Sequence, residues 1–113
     1  MAKYMLVLKG GSDAWASYTP EQAQAMMQKY GDWTEEIRKS GAMLAGDPLE
    51  MSGRVLSAGK GEVVDGPYTE TKEAITGYYI IQADDYDKAV EITKGCPTLM
   101  HGGDVEIRAI AVM

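Results

Sequence analysis

The chain opens with an unbroken apolar run, Tyr4-Met5-Leu6-Val7-Leu8, that ends at Lys9-Gly10-Gly11-Ser12-Asp13. A short run apolar on both faces and closed by polar and glycine residues predicts a buried strand. Thr19-Pro20-Glu21-Gln22 then carries the marks of a helix start. These are a hydroxyl cap, a proline where a missing N–H costs nothing, an acid at the positive end of the dipole, and a glutamine placed to close a capping box. Ala23, Met26, Met27, Tyr30, Trp33, Thr34 and Ile37 recur at every third or fourth position, which predicts one core-facing stripe as far as Lys39. Ser40-Gly41 supplies the stop, and Gly31 inside the helix costs about 1 kcal/mol.

Further along, Ala42-Met43-Leu44-Ala45-Gly46 predicts a weak strand whose pairing Asp47-Pro48 should break. Arg54-Val55-Leu56-Ser57 and Gly61-Glu62-Val63-Val64 predict a hairpin around Ala58-Gly59-Lys60. Gly77-Tyr78-Tyr79-Ile80-Ile81-Gln82-Ala83 crowds aromatic and β-branched residues together, as a central strand does. Asp84 or Asp85 can cap a second helix with Tyr86, Ala89, Val90 and Thr93 on one side, stopped by Gly95 and Pro97. The run from Asp104 to Val112 predicts a closing strand.

The order strand, helix, strand, hairpin, strand, helix, strand predicts one domain over residues 1–113. Its expected fold class is α+β: a ferredoxin-like repeat with both helices on one face of an antiparallel sheet and a hairpin inserted. The strands at Tyr4 and Gly77 are apolar on both faces, so the face without helices would leave a large apolar patch in water. A second copy of the chain is the expected cover, giving a homodimeric α+β barrel with a cleft between sheet and partner.

Composition narrows the function. At 113 residues and 45% hydrophobic content the chain can fill one modest core. Eleven Lys and Arg against seventeen Asp and Glu leave a net charge of −6, which argues against nucleic acid or anionic membrane as partners. No apolar run reaches membrane-spanning length, and none near the N-terminus is long enough for a signal peptide. The lone Cys96 cannot close an internal disulfide and fits a reducing, cytoplasmic compartment. Gly10-Gly11 lacks the further glycine and helix start of a nucleotide fingerprint, and one His with one Cys is too few for zinc. No cofactor is expected.

The stretch Asp65-Gly66-Pro67-Tyr68, followed by Glu70-Thr71-Lys72-Glu73, resembles the signature of the DGPF-type branch of the YCII-related family, with Tyr68 where that pattern has Phe. Lys3-Tyr4-Met5-Leu6, Gly77-Tyr78-Tyr79, Cys96-Pro97 and Gly103-Asp104-Val105-Glu106-Ile107-Arg108 extend the resemblance along nearly the whole chain, with Ala109 where the family usually has Pro. The resemblance implies a dimeric ferredoxin-like barrel and leaves the family's biochemical function largely unassigned. It also implies two lines of work for relatives: a His and Asp pair suggested as catalytic, and association with regulators of transcription initiation.

Residue by residue, Asp65 reads first as a turn-forming carboxylate and second as a proton carrier beside Glu70, Lys72 and Glu73, whose charges could perturb a pKa. His101, the single histidine, stands in a glycine-rich loop; an exposed, idle ring is the plainer expectation and an acid–base role the sharper one. Glu106 and Arg108 alternate onto one face of the last strand while Val105, Ile107 and Ala109 take the other. If the second set meets the helices, Glu106 and Arg108 point into the cleft, where they form an ion pair or Arg108 holds an anion. Gln82 is a further candidate for that face. Cys96 lies at the negative end of a helix, which raises a thiol's pKa and disfavours a nucleophile.

Three readings follow: an enzyme holding a small organic anion on Arg108, with Glu106, Glu70 and Lys72 nearby and His101 or Asp65 moving a proton; a sensing or regulatory module that binds without turnover; or a structural dimer with an ion-paired cleft.

Overall fold

The computed structural model describes the chain except residues 51, 57, 58, 60, 62 and 67–73, and at residues 12 and 63–66 it describes only the course of the backbone. The elements run β1 (Ala2–Lys9), α1 (Ser12–Ser17), α2 (Pro20–Lys39), β2 (Met43–Pro48), β3 (Gly53–Leu56), β4 (Val63–Gly66), β5 (Ile75–Ala83), α3 (Tyr86–Thr93), a 3₁₀ helix (Pro97–His101) and β6 (Asp104–Ala109). Four strands form one antiparallel sheet in the order β2-β5-β1-β6, while β3 and β4 pair with each other. Two split β-α-β halves in this order make the sheet ferredoxin-like, as the sequence predicts.

Local chemistry explains the long elements. Thr19 Oγ1 accepts from the Gln22 backbone N–H at 3.1 Å while Gln22 Oε1 accepts from the Thr19 N–H at 2.9 Å, so the capping box is closed. Asp85, rather than Asp84, caps α3 by accepting from the Lys88 N–H at 2.8 Å. Alternation on β1 sends Tyr4, Leu6 and Leu8 to the helices, where Trp33 and Ile37 of α2 and Ala89 of α3 meet them in one cluster with Ile81, Ala83 and Cys96. Tyr79 comes so close to Gly46 that a Cβ there would sit 2.7 Å from its ring, and its hydroxyl meets Thr34 Oγ1 at 2.8 Å.

Four expectations need correction. Ser12–Ser17 is a short helix, directly after the Gly10-Gly11 pair expected to lack a helix start. Asp47 and Pro48 do not break β2 but lie within it, opposite Tyr78 and Gly77, because β2 is an edge strand with a free side that needs no proline N–H. Asp65 and Gly66 do not follow the hairpin; they belong to its second strand, opposite Arg54 and Gly53. The closing strand stops at Ala109, three residues short of the expected Val112.

Candidate functional site

The sheet's second face carries no helix among the described residues. Strand register sorts its side chains into rows: Arg108, Met5, Ile80 and Ala45 lie side by side, and next to them Glu106, Val7, Tyr78 and Asp47. The centre is therefore apolar and the charges stand at the two edges. Val105 and Ile107 pack against the core on the other side, which meets the condition for Glu106 and Arg108 to point to the open face. Gln82 joins that face opposite Lys3, although its amide donates to the Gly41 carbonyl at 2.9 Å.

Toward the β6 edge the face hollows into a shallow groove of about 440 Å³ lined by Met5, Val7, Ile75 and Ile110 with Lys9, Glu106 and Arg108. Glu106 stands between two cations. The Lys9 ammonium bonds one carboxylate oxygen, and Arg108 Nε lies 3.6 Å from the other. The hydrogen bond from Lys9, helped by the Lys9 charge, holds the Glu106 carboxyl below the usual range and so keeps it ionised near neutrality. Arg108 is 74% exposed, and its contact with Glu106 uses Nε, leaving the two terminal nitrogens of the fork without a hydrogen bond or ion pair among the described residues. At the opposite edge Tyr78 donates to Asp47 at 2.8 Å, and this bond raises the phenol's pKa.

His101 lies elsewhere. It closes the 3₁₀ helix and is buried on the helix side, contrary to the expected exposed loop ring. Its Nε2 meets the Tyr30 hydroxyl at 2.9 Å, that hydroxyl meets Thr98 Oγ1 at 2.6 Å, and the Trp15 ring stands edge-on at 5.7 Å. Nδ1 is buried without a hydrogen-bond partner, while the backbone of Gly11 and of His101 itself favours the charged ring. Which of the two donates in the Tyr30–Nε2 bond follows from the ring's tautomer. Burial lowers the His101 pKa and outweighs the backbone, leaving the ring neutral at pH 7. Burial likewise pushes Tyr30 up to about 12. Gly11 is required here: at φ +81° it makes room for a ring whose Nδ1 would lie 2.3 Å from any Cβ.

The structure thus brings Glu106 and Arg108 together and adds Lys9, which in the sequence marks only the polar end of the first apolar run. Alternation from Met5 and Val7 was the signal that could have found it. His101 does not line the groove. The Asp65 side chain, and Glu70 and Lys72 entirely, lie outside the described residues. Cys96 is fully buried, and burial raises its thiol pKa against the opposing hydrogen bonds with Thr98; it stands at the N-cap of the 3₁₀ helix rather than only at the negative end of α3. Among the described residues no three His, Cys, Asp or Glu side chains cluster as metal ligands. A second hollow, of about 460 Å³, lies between α2, α3 and the end of β5; Glu36, Asp84 and Glu91 outnumber Lys88 around it, which does not suit an anion.

A ferredoxin-like α+β sheet bare on one face and edged with charge is the class of domain these features define. Within that class the chain belongs to the YCII-related domain family, whose pattern matches residues 2–113. An uncharacterized protein of Rhizobium meliloti is 35% identical over 57 residues, 50% of this chain and 46% of that protein, so the chain spans about half the length of that relative. A 5-chloro-2-hydroxyhydroquinone dehydrochlorinase from Burkholderia phenoliruptrix, solved in complex with 2,5-dihydroxybenzoquinone, superposes with a TM-score of 0.51 at 14% identity, over 96% of this chain and 93% of that one. At that identity the likeness speaks to fold.

Proposed function

We propose that two copies of the chain meet through their open sheet faces and that the cleft between them binds a small polar or anionic organic molecule. One observation carries the reading: an apolar sheet face, Met5, Val7 and Ile80, edged by an exposed guanidinium whose terminal nitrogens make no bond among the described residues. Arginine in that setting fits a carboxylate or similar anion bidentately. The lone cysteine supports a cytoplasmic setting. No helix among the described residues is long and apolar enough to cross a membrane.

Binding without turnover, as in a sensor or regulatory accessory, is the version the geometry favours. The acid–base version with His101 as proton carrier needs that ring beside Arg108, whereas it contacts Tyr30, Trp15 and Gly11 on the helix side; the side chain of Asp65, the other candidate carrier, lies outside the described residues. A thermal-shift screen against organic anions tests this, because a ligand that binds the folded state raises its melting temperature by mass action. A shift lost in Arg108→Ala and kept in His101→Gln is expected. A shift abolished by His101→Gln with that variant still folded, together with turnover of the hit, would replace this version with the catalytic one.

A further inference from the structure

On its own the groove could accept any small anion, yet its three charges are not equivalent. Lys9 is consumed by Glu106, and Glu106 also faces Arg108, so the group of two cations and one carboxylate presents a single unspent cationic end. A ligand oxygen pair on the outer fork of Arg108 finds donors there. A second anionic group placed toward Lys9 meets the Glu106 carboxylate first, and like charge at contact range is repelled. Met5 lies directly beside Arg108 on β1, and Ile80 lies beyond it on β5. Two inter-strand spacings, about 10 Å, thus separate the cation from the far side of the apolar strip. That span suits one ring or a short chain lying flat on the sheet.

Resting on the open-face binding site proposed above, we infer that the site selects a monoanionic amphiphile, a single carboxylate or phenolate on an apolar body of about one ring, and that Glu106 sets the one-charge limit. Glu106 acts here as a specificity-determining residue: it neutralises Lys9 and guards the space beside Arg108.

The test is an NMR titration of backbone amide signals with benzoate, isophthalate and benzyl alcohol on the wild-type chain, Glu106→Gln and Arg108→Ala. Expected for the wild type are shifts at Met5, Val7 and Arg108 with benzoate, and affinity for isophthalate and benzyl alcohol weaker by at least about tenfold, the order of a lost or opposed charged hydrogen bond. Glu106→Gln should leave benzoate bound and bring isophthalate level with it or ahead, since Lys9 is released to take the second carboxylate. Arg108→Ala, truncated at an exposed position, should stay folded and lose benzoate by a similar factor. A benzoate-to-isophthalate ratio unchanged by Glu106→Gln, or benzyl alcohol binding as well as benzoate, overturns the charge limit and leaves the open-face site standing. Absence of shifts on that face with every probe overturns both.

Discussion

Protonating His101 is costly in the folded chain, because the ring is buried against Trp15, Tyr30 and the Gly11 backbone and no carboxylate contacts it among the described residues. Its folded pKa lies below the ordinary 6.5, to which the unfolded chain returns. The unfolded state therefore binds more protons below that value, so this contribution is complete above 6.5 and is lost as pH falls through 6.5 toward the depressed folded pKa, at no more than about 1.4 kcal/mol per pH unit. Denaturant midpoints at pH 7.5 and pH 5.5 should show the wild type losing more stability than His101→Gln does; equal losses would sink this account of the ring. Tyr30→Phe should cost about 1–3 kcal/mol at neutral pH, since it strips a hydrogen-bond partner from Nε2 and from Thr98 together, and a value near zero by the same denaturation would mean that water serves both groups. His101 was visible in the sequence as the single imidazole but not as a buried one, because the hydroxyl that holds it stands 71 residues earlier in the chain. Arg108 and Glu106 were easier: strand alternation fixes their common face locally, and only the choice between the two faces needed the core.

Helix α2 owes its start to the reciprocal bonds between Thr19 and Gln22, both exposed and remote from the open sheet face. Thr19→Ala should lower unfolding free energy by about 1 kcal/mol and leave ligand shifts unchanged, read by chemical denaturation and by the thermal-shift screen. A loss of several kcal/mol would mean that the cap also holds tertiary contacts. The same cap is why α2 was legible from sequence, together with twenty residues of one repeated stripe. Helix α1 was not, for the opposite reason: six residues are too few for periodicity, and its N-cap, Gly11, is left-handed and offers no side-chain oxygen. Pro48 misled in the same way, because its effect depends on whether the strand has one neighbour or two, which is a property of the sheet rather than of the segment. The hairpin was read in the right place, yet Asp65 fell inside β4 instead of beyond it, a boundary shift small in sequence that moves the residue from a turn to a strand.

At the scale of the whole molecule the question is what covers Met5, Val7 and Ile80. Each lies on the open side of the sheet, outside the core cluster, so a charge placed there does not disturb the packing of Leu6, Ile81 and Trp33. Ile80 is the sharpest probe, because it sits in the middle of the face, between Met5 on β1 and Ala45 on β2. Two copies packed face to face would bury that position on both sides of the interface, and Ile80→Lys would then bring two ammonium groups into an apolar layer, a desolvation cost that association does not repay. The expected result by sedimentation velocity is a dimer for the wild type and a monomer for Ile80→Lys with an unchanged far-ultraviolet circular dichroism spectrum. On the proposed reading the partner completes the cleft, so the monomer should also bind benzoate more weakly even though Arg108 is intact. A wild type that sediments as a monomer would remove the partner from the reading and leave the groove at the β6 edge to bind on its own.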